Sequence, residues 1–293
     1  MKSTRFVAGQ RRLGMTATRM LGHGLLYLVL TLGAIVAAIP MAWTLSSSLK
    51  DTAQIFTFKV QWIPNPIMWK NYPDLFVMLP FLGFIRNTAL IVSSNVLSAT
   101  LIGSLVGYAF ARLRAPGRDA LFMLVIATML LPSHVTLIPR YIIFSKLGLI
   151  DTYGPLIIPG WLGGGAFEIF LFRQFFLTQP RELDDAARMD GCGSFRIYWN
   201  IMIPLSKPVI ATVAIFNSIW AWSDLFGPLI YLNSMEKFTL SLGLALLRRT
   251  ADWGTRWELV MVGSVLSIIP MLIIFFLGQK YFIRGIALTG IKG

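Results

Sequence analysis

Long apolar runs separated by short charged patches dominate this chain of 293 residues. Six runs stand out. Met20 to Leu49 carries no Lys, Arg, Asp or Glu over 30 residues, Asn87 to Ala111 none over 25, and Ala120 to Pro139 none over 20. Thr152 to Phe172 is interrupted only by Glu168, Pro208 to Met235 only by Asp224, and Leu259 to Gln279 not at all. Each reaches the ~20 residues that a helix needs to cross ~30 Å of hydrocarbon. Lipid offers the backbone no hydrogen-bond partner, so the pattern predicts six transmembrane helices and an all-α membrane protein. In the fourth run Pro155, Pro159, Gly160 and Gly163-Gly164-Gly165 predict a broken helix. Such a break lines a buried or water-filled path, or packs closely through its small residues.

A polar island separates the fourth and fifth runs. Pro180 fits the first turn of a helix, and Glu182, Asp184 and Asp185 suit its positive N-terminus. Leu183, Ala186 and Ala187 fall at i, i+3 and i+4 and make one small apolar face. Gly191 and Gly193 end this helix, and Ser194 caps a second one carrying Phe195, Tyr198, Trp199 and Met202. Pro204 and Pro208 lead into the fifth run. Two short helices meeting at a glycine make a rigid knob; read from residues alone, an interfacial helix lying on lipid headgroups is the other possibility. The segment from Ser46 to Pro80, with four prolines and Trp62, Trp69 and Tyr72, predicts an irregular interfacial loop.

Composition agrees with a membrane setting. Hydrophobic residues make up 56% and charged residues 13%, where a soluble domain carries about 25% charge. The net charge of +13 reflects sidedness rather than nucleic-acid binding. With both termini in the cytoplasm, 16 of the 26 Lys and Arg residues fall on the inner side, as the positive-inside rule requires. No cleavage site follows the first run, so it is expected to stay as a span. Cys192 is the single cysteine and excludes an intramolecular disulfide.

Acids at membrane depth are functional candidates. Asp224, with Asn217, Trp220, Trp222 and Ser223, is expected to line a substrate path through the membrane or to join two helices. Glu168 is placed near the inner surface, snorkelling or in a local ion pair. Asn87, Ser94 and Ser98 at helical spacing read as helix glue or as pore lining. Arg248, Arg249 and Arg256 in the fifth loop read as a docking or headgroup patch, or as an attractor for an anionic saccharide or a sugar phosphate. His23 and His134 are far apart and read as packed or interfacial residues. The chain has no phosphate-binding Gly-x4-Gly-Lys-[Ser/Thr] loop and no His/Cys metal cluster, so no cofactor, metal or enzymatic activity of its own is expected.

The island resembles the signature loop of permease subunits of binding-protein-dependent ABC importers: Asp185-Ala186-Ala187, Gly191 and Ile201-Met202-Ile203-Pro204 hold its places. Asp185 stands where the family carries Glu, and Cys192 where it carries Ala. Further likeness to the shorter, maltose-type permease of the carbohydrate branch lies in Ser46-Ser47-Ser48-Leu49-Lys50, Asn71-Tyr72, Asn87-Thr88, Leu131-Pro132, Ile138-Pro139, Trp222-Ser223-Asp224, Pro228-Leu229 and the tail from Gln279. The resemblance implies a type I importer fold with a cytoplasmic tail over 1–20, a first helix and outer loop over 21–80, a type-1 transmembrane domain over 81–282 with its coupling loop at 178–207, and a cytoplasmic tail over 283–293. It implies that Glu182, Asp185, Ala186, Ala187, Asp190, Gly191 and Pro204 dock on an ATPase. The implied partners are a homologous second permease, two cytoplasmic ATPase subunits that hold ATP and Mg, an extracytoplasmic solute-binding protein, a carbohydrate and membrane lipids, with no nucleic acid. A multi-pass protein of the bacterial cytoplasmic (inner) membrane importing a sugar or oligosaccharide is expected, with a uronic-acid oligomer among the candidate cargoes. An ion-coupled secondary transporter or channel is the rival class.

Overall fold

Helices account for every regular element among the described residues, which in this computed structural model are 4–132, 135–249 and 256–289. In chain order they are α1 (Thr4–Ser48), α2 (Thr52–Ile55), α3 (Asn71–Met78), α4 (Phe81–Arg112), α5 (Arg118–Thr128), α6 (Leu137–Lys146), α7 (Gly154–Trp161), α8 (Ala166–Thr178), α9 (Glu182–Met189) and α10 (Ser194–Ile197). A π-helical turn at Tyr198–Met202 follows, then α11 (Ile203–Leu205), α12 (Lys207–Ser223), α13 (Phe226–Tyr231), a 3-10 turn at Met235–Lys237, α14 (Leu240–Arg249) and α15 (Trp257–Thr289). His134, the Asp252 part of the fifth loop and the end of the tail at Lys292-Gly293 lie outside the described residues.

Four stretches are long and apolar enough to cross a membrane: Gly22–Ser48, Phe81–Arg112, Gly154–Thr178 and Trp257–Gln279. Ser194–Leu205 with Lys207–Ser223, bent by 77°, makes a fifth if taken as one span. The run over 120–139, expected as one spanning helix, is divided. It forms α5 and α6, of 11 and 10 residues, each too short to cross alone. The physical reason lies in the chain: Pro132 has no amide hydrogen to continue a helix, and Met129 to Leu131 close α5 in tight turns onto Ile126, Ala127 and Thr128.

The chain divides into two compact units, residues 1–71 with 257–265, and residues 72–256 with 266–293. In the first, the end of α1 is knotted into the loop after it. Ser47, Ser48 and Lys50 are buried. Lys50 lies 4.0 Å over the Trp43 ring and donates to the Gln61 carbonyl, while Asn71 Nδ2 donates to the carbonyls of Ser48 and Lys50 at 3.0 and 2.7 Å. The Ser-Ser-Ser-Leu-Lys and Asn-Tyr motifs thus hold one corner together. Burial lowers the Lys50 pKa from its usual value.

The second unit is built on α4 against α8. Ala99, Gly103, Gly107 and Ala111 recur every four residues and form one flat stripe on α4. A Cβ at Gly107 would fall 2.7 Å from Phe172 Cβ and 3.1 Å from the Arg173 amide, so only glycine permits this approach. Phe172 and Phe176 are fully buried there, with Tyr108 edge-on to Phe176 at 5.7 Å. Asn87 and Thr88 fasten the other end of α4. Asn87 Nδ2 donates to the carbonyls of Glu236 and Phe238 at 2.8 and 3.0 Å, and Thr88 Oγ1 accepts from the Leu240 amide at 2.8 Å.

Candidate functional site

The polar island folds as two short helices against the Arg112 end of α4. Pro180 and the acids of the first turn start α9, and Gly191 ends it with φ +77°. The amides of Gly191 and Cys192 donate back to Arg188 and Ala187 at 3.0 and 2.9 Å, the paired closure of a Schellman motif. A side chain would be strained at that φ. Beyond α10 the backbone widens to the π-helical turn, where the Ile203 amide reaches the Tyr198 carbonyl; Pro204, without an amide hydrogen, follows.

One face of this knob is anchored. Ala187, Ile197, Tyr198 and Met202 are buried in a core shared with Tyr108, Phe172 and Phe176, and Tyr198 shares a 2.8 Å hydrogen bond with Ser104 of α4. Arg112, whose side chain is 4% exposed, reaches across the base of the knob. Its Nη1 lies 3.1 Å from Asp184 Oδ2, and its Nη2 donates to the carbonyls of Phe176 and Gln179 at 2.7 Å each. Arg112 therefore joins the ends of α4, α8 and α9 through one guanidinium, whose planar fork suits three acceptors. Neither Asp184 nor this clamp was picked out as a functional residue from sequence. The available signal was the first-turn position of Asp184 one residue before the Asp-Ala-Ala motif.

The opposite face is open. Glu182, Asp185, Ala186, Asp190, Gly191 and Pro204 are exposed, whereas Ala187 faces inward. Beside the acids stand Met189 at 89%, Phe195 at 68% and Trp199 at 51% exposure, with Phe195 and Trp199 stacked. Arg181, Arg188 and Arg196 are exposed among these acids, and Asp185 shares a cavity with Arg114, Arg181 and Arg188, so the face mixes both charges with large apolar side chains, the composition of a docking surface.

The expected substrate path is divided among four settings. Asn217 donates from Nδ2 to Glu168 Oε1 at 2.7 Å. Trp222 is buried and its indole donates to the Ser267 carbonyl at 3.1 Å, a packing role. Asp224 Oδ1 accepts from the Gly227 amide at 3.1 Å, capping α13, and lines a cavity of about 360 Å³ with Arg140, Pro155, Pro159 and Tyr231. Trp220 and Ser223 are exposed, with Trp220 beside Phe167.

Glu168 departs from the expectation. It neither snorkels nor pairs with Arg173; it is 6% exposed and part of a second cavity, about 200 Å³, with Asn95, Ser98, Gly160, Gly165 and Asn217. Arg173 instead lies 3.8 Å from Asp119 and 4.0 Å over the Phe122 ring. Of Asn87, Ser94 and Ser98, the polar residues of α4 singled out by their spacing, Asn87 and Ser94 join segments together, Ser94 by accepting from the Trp161 indole at 2.9 Å, and Ser98 lines this second cavity.

Near the other end, Asp151 holds two loops together. Its carboxylate accepts from the Asn233 and Ser234 amides at 2.9 and 3.0 Å, from the Ser234 hydroxyl at 2.5 Å and from Lys237 Nζ at 2.9 Å. These donors, Ser234 first, push its pKa well below the usual carboxylate range.

Residues 99–288 match the family described as the binding-protein-dependent transport system inner membrane component. The sn-glycerol-3-phosphate transport system permease protein of Brucella suis is 33% identical over 93% of this chain and 97% of its own length. The arabinooligosaccharides transport system permease protein of Bacillus subtilis is 36% identical over 87% and 90%. Among solved structures, a bacterial ABC transporter involved in the import of the acidic polysaccharide alginate superposes with a TM-score of 0.76 at 26% identity, covering 94% of this chain and 98% of the matched one.

Proposed function

Because the chain belongs to the family of binding-protein-dependent transport inner membrane components, we propose that it is the membrane-spanning subunit of a saccharide importer driven by ATP hydrolysis on separate subunits. The observation that carries the reading is the knob: a two-helix element clamped by Arg112 on one side, with Met189, Phe195 and Trp199 exposed among charged residues of both signs on the other. Such an element transmits force between a partner and the spans. The docking residues are Glu182, Asp185, Ala186, Asp190, Gly191 and Pro204, with Ala187 packing the knob from within.

The assembly comprises a second permease, two ATPase subunits that bind ATP and Mg, and an extracytoplasmic solute-binding protein. Both termini and the knob lie in the cytoplasm, and α5 with α6 supplies the sixth crossing. The cargo is a saccharide. The compounds in the relatives' names include a phosphate ester, a neutral oligosaccharide and, for the solved structure, an acidic polysaccharide, so likeness alone does not select the charge. An acidic saccharide is the second reading, favoured by the alginate importer; of the arginines that motivated it, Arg256 lies 3.5 Å from Asp74.

Proteoliposomes holding the assembled transporter test the importer reading. Uptake is expected to require ATP with the ATPases and to persist when ionophores collapse every ion gradient. Uptake driven by a gradient without ATP would make the chain a secondary transporter.

A further inference from the structure

The cavity at the break between α7 and α8 contains more polar capacity than the fold uses. Glu168 faces Gly103, where an added Cβ would lie 3.1 Å from the Glu168 Cβ. Gly103 is nine residues from Arg112 along α4, about 14 Å at 1.5 Å per residue, so the carboxyl sits near half the ~30 Å of hydrocarbon. Ionisable groups at that depth are costly and face a partner or water-filled space. Asn217 occupies Oε1; Oε2 has no hydrogen-bond partner among the described residues and folds back over Gly165, where a Cβ would come within 2.0 Å of it. Across the cavity, the half-buried Asn95 side-chain amide makes no hydrogen bond among the described residues. A simple tie between α8 and α12 requires the Glu168–Asn217 bond and nothing more. It does not require a second carboxyl oxygen and a free amide facing one open volume.

We infer that this cavity is a subsite for one uncharged sugar ring, with Glu168 and Asn95 as its hydroxyl partners. The inference rests on the saccharide-importer reading and specifies which chemistry that importer accepts at mid-membrane. A carboxyl group and an amide facing each other match neighbouring ring hydroxyls, because the carboxyl oxygens accept and the amide both donates and accepts. Gly160 and Gly165 let Ser98 and Glu168 lie close against the α7–α8 backbone, where a Cβ would fall 2.5 Å from Ser98 Oγ and 2.0 Å from Glu168 Oε2, and so set the polar groups at the cavity wall. None of the described lining residues is Lys, Arg or His, so a sugar carboxylate or phosphate would lose water and find no counter-charge. The neighbouring cavity does carry a cation, Arg140, so the exclusion is local to this one.

The test uses the purified whole complex without its binding protein, so that receptor selectivity plays no part. Thermal shift is titrated with maltotriose, arabinotriose and trigalacturonate. At least one neutral trisaccharide is expected to stabilise the wild-type complex, with trigalacturonate at least ten-fold weaker. Glu168→Gln and Asn95→Ala are each expected to weaken the neutral sugar about ten-fold. Asn95→Ala removes no bond of the fold, so it reports even if Glu168→Gln impairs assembly. Unchanged affinity in both variants, no stabilisation by either neutral sugar, or equal binding of trigalacturonate would overturn the subsite. The importer reading stands or falls separately, on ATP-dependent uptake by the wild-type complex.

Discussion

Two neighbouring aspartates have different work at the base of the knob. Asp184 is buried against Arg112, and Asp185 is exposed. Removing one member of a buried pair leaves the other charge uncompensated, at a cost of about 3–5 kcal/mol. Asp184→Ala is therefore expected to lower unfolding stability by about 3 kcal/mol, whereas Asp185→Ala stays within about 0.5 kcal/mol. Chemical denaturation of the purified chain measures both, and equal effects would refute the division of roles. The sequence motif pointed to Asp185, because a motif marks what a partner reads. The neighbouring acid that holds the motif in place carried no such mark; its partner is 72 residues away. Asp151 gives a pH expectation. Its folded pKa is depressed, so its contribution is complete above the unfolded value of about 3.9 and fades as pH falls through the lower folded one. Hydrogen exchange, corrected for its intrinsic pH dependence, should show the Asn233 and Ser234 amides equally protected from pH 7 to pH 5. Loss of protection within that window would contradict the assignment.

At the level of elements, uninterrupted apolar runs located three long helices directly, α1, α4 and α15, and the prolines and glycines of the fourth run marked the break between α7 and α8. Run length failed where proline divides the third run. The stretch 120–139 has the composition of one span and the backbone of two short helices. Glu168 was misread for a related reason: counting from Arg173 made it a snorkelling acid, but α8 continues to Thr178 and the side chain is buried against Gly103 and bonded to Asn217. The α4–α8 contact is set by glycine. Gly107→Ala puts a methyl against Phe172 and is expected to cost about 1–3 kcal/mol, as overpacking does. Gly163→Ala, with open space around its Cβ position, should change stability by less than about 0.5 kcal/mol. Thermal unfolding of the two variants provides the comparison; a neutral Gly107→Ala would mean that the helices separate at no cost.

For the molecule as a whole, the exposed face of the knob is the place where a second protein must sit if the importer reading holds. Met189→Asp and Phe195→Asp each put a charge into the apolar centre of that face, where truncation of an anchor side chain commonly costs about 2 kcal/mol or more, roughly a thirty-fold loss of affinity. Co-purification of the ATPase subunits is expected to fall accordingly, with the permease still folded. Full retention would move the docking surface elsewhere.

The three hydrogen-bonded contacts of Arg112 have a mechanical consequence. They fix the carboxyl ends of α4 and α8 to the start of α9, and the glycine stripe brings α4 and α8 into close contact above that point. These contacts join the knob to α4 and α8 from Arg112 up to the level of Glu168. The sharp turn in backbone direction, 77° at Ser206, is on the other limb, the one leading to Asn217. The hinge pin and the handle therefore belong to different strokes of the chain, and the Glu168–Asn217 hydrogen bond is where those strokes meet.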